Sequence, residues 1–395
     1  MVKAGRVIAA ILGMSAQAGA LESEDSGHGY KSSVQWLPRD PVPGAISAET
    51  LISEDALPEQ FDWRNVNGNN FVAADWNQHI PVYCGACWIH GTTSALNDRI
   101  KVMRGGAFPD VMLGRQAIVN CVPDSSNASL PPPGCNGGDA FMIHKYLMDN
   151  KVPDETCLPY QARNMGCASD NVCRNCFPGK KGCFPVDKWI GYGVSTYGTV
   201  KGEKAMMKEI YARGPIACSF ATNGAFMLNY TENVMQHEGV YIDRTNFTVE
   251  QIDHVMEVAG WGETPSGQKY WVIRNSWGTF WGNAGWLRLG RGTNMLQSES
   301  SCDWAVPSFD DLDEALVGKV MGDYVKGIAE VEIPWSSIPA LTVLSSEAPA
   351  LHTQANMNPQ TFLVLFSTFV SGVGATLLAL RLSGARSIRR VSLLG

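Results

Sequence analysis

Two uncharged apolar runs lie near the ends of this 395-residue chain, and they differ in length. The first, residues 7–14, follows Lys3 and Arg6 and precedes the small residues Ala16, Ala18 and Ala20. A positive start, a short apolar run and small residues are typical of a secretory signal peptide. The run is too short to span a bilayer. The pattern therefore predicts a signal peptide over residues 1–20 and entry into the secretory pathway.

The second run, residues 361–380, has no charged residue and is followed by four arginines, Arg381, Arg386, Arg389 and Arg390. A helix of this length matches the hydrocarbon thickness of a bilayer, about 30 Å. The positive-inside rule then predicts a type I transmembrane helix over 359–381, with a cytosolic tail at 382–395. The membrane would be endolysosomal, vacuolar or extracellular-facing. A lipid-anchor signal and a buried core helix are alternatives. A lipid-anchor signal, however, should end the chain with its apolar tail, whereas four arginines follow the apolar run here.

The pattern between these runs predicts one globular domain with two flanking segments. Residues 21–56 are acidic and proline-containing, which favours a propeptide or disordered leader. Residues 308–358 are interpreted as a stalk, rich in Ser, Pro and Ala beyond a possible charged helix. Residues 57–307 remain as the domain. The net charge of -7 and the absence of a basic stripe argue against nucleic acid as a partner.

All eleven cysteines fall between Cys84 and Cys302, inside the predicted domain. An odd number fits five disulfides plus one free thiol in an oxidising compartment. A reduced zinc module is the alternative, because Cys167, Cys173, Cys176 and Cys183 have ligand-like spacing. The secretory signals at the chain ends favour disulfides, so no metal or other cofactor is expected.

Residues 255–262 and 270–275 have the pattern of β-strands, and they place His254 before the first strand and Asn275 at the end of the second. A helix-compatible run, residues 91–100, follows Cys87. A cysteine at a helix N-terminus feels the positive end of the helix dipole, which favours the thiolate. The pattern predicts a thiol nucleophile whose pKa a neighbouring imidazolium lowers further.

Four residues then form a candidate catalytic set. Cys87 would be the nucleophile, His254 the base, and Asn275 the amide that orients the imidazole. The Gln78 side chain and the Cys87 backbone N–H would donate to the oxyanion. Two tryptophans, Trp277 and Trp281, would cover the His254–Asn275 hydrogen bond. We interpret His90 and His144 as structural.

The local motifs around these residues carry a specific resemblance. The run at 84–88, Cys-Gly-Ala-Cys-Trp, with a later histidine and asparagine, is the signature of papain-like proteases. Residues 57–307 resemble the papain family of cysteine peptidases, and within it most closely the cathepsin X (cathepsin Z) branch. The matching runs lie at 57–58, 62–66, 77–81, 83–85, 153–157 and 285–288.

The resemblance implies an α+β fold of two halves. A helical left half would contain Cys87, a β-barrel-like right half would contain His254 and Asn275, and the active site would be the cleft between them. The resemblance also implies five disulfides, which spacing alone does not select: Cys84–Cys135, Cys121–Cys167, Cys157–Cys173, Cys176–Cys183 and Cys218–Cys302.

The resemblance also implies a substrate class. His79, in the run His-Ile-Pro at 79–81, would bind the terminal carboxylate of a peptide, so that one C-terminal residue is removed at a time. Gly137 and Gly138 would line the unprimed side, and Trp277 would border the substrate. The expected partners are peptides and proteins with a free C-terminal carboxylate, and the expected state is a monomer.

Some residues depart from that branch. Unlike members of that branch, this chain has no cysteine before Cys84. A leader that inhibits the enzyme must therefore do so without a covalent bond to the catalytic thiol. Ala86 and Ile89 replace the usual serine and alanine without removing a catalytic atom. Three sequons, at Asn127, Asn229 and Asn246, predict lumenal N-glycans.

Three other functions stay open from the sequence. The first is an endopeptidase or dipeptidyl carboxypeptidase of the same family. The second is a noncatalytic lumenal receptor or adhesion protein on a peptidase fold, against which the intact catalytic set argues. The third is the reduced zinc module, in which most cysteines would be free thiols.

Overall fold

A computed structural model describes residues 29–34, 37, 39, 42, 45–47, 50, 52–179 and 182–309. The predicted signal peptide, stalk, transmembrane helix and cytosolic tail lie outside these residues, apart from the first two residues of the stalk. Within the described part of the chain, no helix is both long and apolar enough to cross a membrane. The anchor at 359–381 therefore remains a prediction from the sequence.

Three helices and a buried apolar core form the left half. They are α1 (Cys87–Met103), α2 (Arg115–Cys121) and α3 (Ala140–Asp149). Helix α1 is longer than the run predicted from the sequence, because it begins at the cysteine itself. Helix α3 begins after Asp139, whose carboxylate accepts a hydrogen bond from the Met142 backbone N–H at 3.1 Å and so caps the helix.

The right half is built on an antiparallel sheet of seven strands. Its strands run in the spatial order β4-β9-β5-β6-β7-β8, and β1 pairs with β6. A separate two-stranded hairpin joins β2 and β3. The strands are β1 (Phe61–Asp62), β2 (Arg174–Cys176), β3 (Cys183–Pro185), β4 (Tyr192–Val200), β5 (Ile216–Phe220), β6 (His254–Glu263), β7 (Lys269–Arg274), β8 (Trp286–Gly290) and β9 (Cys302–Phe309). Three further α-helices are α4 (Glu203–Arg213), α5 (Gly224–Leu228) and α6 (Tyr230–Met235), and short 3-10 turns lie between the elements.

The predicted α+β class and the two strands predicted around His254 and Asn275 are confirmed. Strand β6 begins at His254, and Asn275 directly follows β7, so the pattern placed both residues within one position of a strand end. The apolar residues that gave the strand pattern are buried, as is every residue from His254 to Gly262.

Helix α1 carries polar side chains into the interior, where both halves satisfy them. Arg99 donates to the Pro215 carbonyl at 2.5 Å and to the Ala305 carbonyl at 2.9 Å, and it pairs with Glu209 at 2.8 Å. Asp98 accepts from Arg274 at 2.6 Å. Buried charges are tolerated only when they are paired and hydrogen-bonded. The helix is therefore bound to the sheet by polar contacts as well as by packing.

Five disulfides join ten of the eleven cysteines: Cys84–Cys135, Cys121–Cys167, Cys157–Cys173, Cys176–Cys183 and Cys218–Cys302. These are the pairs that the resemblance implied. Cys87 is the free cysteine, and it is buried. Among the described residues, no group of three or more His, Cys, Asp and Glu side chains is arranged to hold a metal.

We predict that Arg274→Met destabilises the fold by about 3–5 kcal/mol, because it leaves the buried Asp98 carboxylate without its counter-charge. The matched control is Arg64→Met, since Arg64 forms a half-exposed pair with Asp62 at 2.7 Å. The control should cost less than about 1 kcal/mol. Urea denaturation of the oxidised protein measures both. Equal losses in the two variants would contradict the prediction.

Candidate active site

Cys87 is the first residue of α1, and this helix packs on strand β6 near its start. A side-chain carbon on Gly91 would lie 3.0 Å from the Val255 carbonyl oxygen, so only glycine permits this approach. The Val255 backbone is close enough to lower the pKa of the Cys87 thiol. Since Val255 follows His254, the packing brings the nucleophile beside the candidate base.

The His254 imidazole is held by an amide on one side and an indole on one face. His254 Nε2 lies 2.9 Å from Asn275 Oδ1, and since an amide oxygen only accepts, Nε2 is the donor. The Trp277 ring stacks on the imidazole at 5.0 Å between centroids and contacts Trp281 edge to face at 5.1 Å. His254 is fully buried, so the hydrogen bond is kept from water.

Gln78 is buried, and its amide is oriented by two hydrogen bonds. The Ser276 hydroxyl donates to Gln78 Oε1 at 2.6 Å, and Gln78 Nε2 donates to the Cys84 carbonyl at 3.1 Å. The backbone N–H of Gln78 donates to the Ser276 carbonyl at 2.8 Å. Gln78 is thus tied to the loop that follows Asn275. Sequence reasoning missed this role of Ser276, although it directly follows the candidate catalytic residue Asn275 in the chain.

Part of the leader lies in the cleft and forms backbone hydrogen bonds to both of its sides. The backbone N–H of Gly138 donates to the Gly29 carbonyl at 3.0 Å, and that of Lys31 donates to the Gly138 carbonyl at 2.9 Å. On the opposite side, the Tyr30 N–H donates to the Asp253 carbonyl at 3.2 Å. These contacts are noncovalent, as the absence of a leader cysteine requires.

The pKa of Cys87 differs from the expectation for a free helix N-terminus. Burial raises the pKa of the thiol well above its ordinary value, and the nearby Asp253 charge raises it further, whereas backbone hydrogen bonds lower it. The helix dipole does not offset the loss of water around a thiolate in this leader-bound form. The sequence predicted a lowered pKa for the Cys87 thiol, whereas the structure gives a raised one because the side chain is buried.

The remaining predicted site residues are placed as follows. His79 follows Gln78, and its ring stacks on Tyr83 at 4.6 Å between centroids. Gly137 and Gly138 contact the leader backbone, and their role on the unprimed side of a substrate remains a prediction. His90 and His144 lie in the core, where burial lowers the pKa of His144 to about 3. The sequon residues Asn127, Asn229 and Asn246 are all exposed, and their glycosylation remains a prediction.

Residues 57–306 match the family described as papain family cysteine protease. The chain belongs to this family. It is similar to cathepsin Z from Onchocerca volvulus, with 41% identity over 289 residues that cover 71% of this chain and 88% of the relative. Pro-cathepsin H from Bos taurus is 28% identical over 265 residues, covering 67% and 69% of the two chains.

Among solved structures, procathepsin L2 from the Tenebrio molitor larval midgut superposes with a TM-score of 0.51 at 22% identity, covering 71% of this chain and 78% of that one. At this identity the likeness shows the fold alone. The resemblance stated from the sequence motifs is thereby confirmed, both for the family and for the papain-like fold.

We predict that Gly29→Ala displaces the leader and exposes Cys87. The new Cβ would lie 2.0 Å from the Gly85 carbonyl oxygen, and the Gly29 φ of 104° is itself unfavourable for alanine. Displacement restores water to the thiol and lowers its pKa. The rate of alkylation by iodoacetamide at neutral pH should therefore rise by about tenfold or more, with its pH midpoint shifted downward.

The matched control is Gly68→Ala, because Gly68 also has a positive φ of 84° but no atom within 4 Å of the new Cβ. This variant should alkylate at the rate of the parent chain. If Gly29→Ala alkylates no faster than the control, the leader does not shield the thiol.

Proposed function

We propose that this papain-family protease is a cysteine carboxypeptidase that removes single C-terminal residues. The proposal rests on the position of His79, which directly follows the candidate oxyanion donor Gln78. His79 Nδ1 is buried and makes no hydrogen bond to any part of the chain that the structure describes. The His79 ring stacks flat against Tyr83, and its Nδ1 has no hydrogen-bond partner among the described residues. This nitrogen is therefore a suitable donor for a substrate carboxylate.

The chemistry is nucleophilic catalysis through a thioester. His254 removes the proton from Cys87, and the sulfur attacks the carbonyl carbon of the last peptide bond. The Gln78 amide and the Cys87 backbone N–H stabilise the oxyanion. The imidazolium then donates its proton to the departing amino acid. A water molecule, activated by His254, hydrolyses the thioester and releases the shortened peptide and the free thiol.

His79 supplies the difference between a carboxypeptidase and an endopeptidase. Burial lowers the pKa of His79, so the ring is largely neutral at pH 7 and becomes protonated only at more acidic pH. A protonated ring forms a charge-assisted hydrogen bond to a carboxylate, which is stronger than a neutral one. Preference for a free C-terminus should therefore increase as the pH falls through the lowered pKa of His79.

The location and assembly of the enzyme belong to the same proposal. Five disulfides support an oxidising, lumenal compartment for the domain. We further propose delivery through the secretory pathway, anchorage by residues 359–381, and action as a monomer on peptides and proteins. Endopeptidase or dipeptidyl carboxypeptidase activity remains the main alternative.

The test of the activity compares a peptide that ends in a free carboxylate with its C-terminal amide. We predict that the processed enzyme at about pH 5 removes one residue from the acid and leaves the amide nearly intact, as mass spectrometry will show. Cys87→Ala should abolish turnover. Internal cuts in both peptides would support the endopeptidase instead, and no turnover by folded protein would favour a noncatalytic role.

A second prediction concerns His79→Ala. Loss of a hydrogen bond to a charged group should raise KM for the acid peptide by about ten- to hundredfold. It should also flatten the pH dependence of the acid-to-amide ratio. His237→Ala is the control, because His237 bonds the Asn233 carbonyl at the end of α6. A full acid preference in His79→Ala would contradict the assigned role.

A further inference from the structure

Most hydrogen bonds to the Asp139 carboxylate come from the leader. Its contact within the domain is the helix-capping bond from Met142. The leader supplies the other three hydrogen bonds: the Ser33 N–H at 2.6 Å, the Ser33 hydroxyl at 2.9 Å, and the Arg39 guanidinium at 2.7 Å. When the leader is removed, a carboxylate that is now 1% exposed loses these partners.

A second carboxylate faces the same guanidinium. Asp303, on strand β9, is 2% exposed, and its Oδ1 makes no hydrogen bond within the described residues. The nearest cation is Arg39 Nη1 at 3.8 Å. Burial raises the pKa of Asp303 to about 7, and the Arg39 charge opposes that shift. The ionised form of Asp303 is therefore stabilised by a neighbouring cation, and below about pH 7 the acid is largely neutral.

An aromatic ring completes the surroundings of the guanidinium. The Arg39 carbon Cζ lies 4.1 Å above the centroid of the Phe141 ring. A planar cation can stack on an aromatic face while its edge donates to carboxylates, and arginine suits both contacts better than lysine does. The combination of two acids and one ring is selective for that chemical group.

This acidic site adjoins the chain-binding surface of the cleft. Asp139 directly follows Gly138, whose N–H and carbonyl both pair with the leader backbone. A peptide that binds along Gly138 in place of the leader would have its side chains next to Asp139. The leader residue that fills the site, Arg39, lies on the same segment of chain that occupies the cleft.

We propose that Asp139, Asp303 and Phe141 form a guanidinium subsite, which Arg39 fills in the leader-bound form and which binds an arginine side chain of the substrate after the leader is removed. The inference rests on the proposed peptidase function and deepens it, because it names a side chain that the unprimed part of a substrate should carry. The pocket holds its occupant through charge, so a neutral side chain of the same shape is the discriminating probe.

The experiment folds the full chain, removes the leader by limited proteolysis, and works above pH 7, where Asp303 is ionised. It compares peptides with arginine or citrulline at the second and third residues before the cleaved bond. Citrulline keeps the size and most hydrogen-bond donors of arginine but lacks its charge. We expect kcat/KM to favour arginine at one of these positions by about tenfold or more. Asp139→Asn, which retains the helix cap, and Asp303→Asn should each reduce the preference to about twofold or less.

Asp110→Asn is the matched control, because Asp110 pairs with Lys101, about 20 Å along α1 from Cys87. It should keep the full arginine preference. Equal rates for both peptides in the parent enzyme, or a preference that survives the double variant Asp139→Asn/Asp303→Asn, would overturn the proposal.

Loss of the proposed function is distinguishable from loss of the subsite. If no peptide is turned over, calorimetric binding of the same two peptides to the leader-free protein decides the question. Tighter binding of the arginine peptide that depends on Asp139 would support the subsite without catalysis. Equal affinities would overturn it.

Discussion

The close approach of helix α1 to strand β6 is the constraint on which the site depends. The two elements carry the proposed nucleophile and base at their first residues, so neither side chain has a loop to adjust its position. Gly91 allows the backbones to meet at Val255, and a larger residue there would separate them. Catalytic geometry is thus set by core packing, which is more rigid than surface loops. The Arg274–Asp98 pair fixes the same two layers further along the helix.

Much of the site could be predicted from the sequence because its residues lie in short local motifs. Cys87, His254 and Asn275 each adjoin a helix or strand boundary that the apolar pattern places within a few residues. The disulfide pairs came from the family resemblance alone, since the number of possible pairings is large. The buried polar network of α1 was not predictable, because Arg99 and Asp98 have partners more than a hundred residues away.

The contacts of the leader could not be predicted from the sequence in the same way. Its composition predicted a disordered or inhibitory segment, but its contacts depend on surfaces that exist only in the folded domain. Nothing in the spacing of Ser33 and Arg39 indicates that both meet Asp139. The raised pKa of the thiol also depends on tertiary contacts, because it follows from the burial of Cys87 and from the nearby Asp253 charge. Local sequence specifies the catalytic groups, whereas tertiary contacts determine whether water reaches them.

Helix α1 also affects how the protein unfolds. The structure has two buried apolar cores, one centred on the sheet and one on the helices, and residues of this helix pack against both. Its Arg99 also bonds the Pro215 carbonyl, just before β5, and the Ala305 carbonyl in β9. Neither half can open without exposing charged groups that the other half neutralises. Two cores that share their central element are expected to unfold as one cooperative unit. For a protease surrounded by copies of itself, such cooperativity limits the partly open states in which its own backbone could be cut.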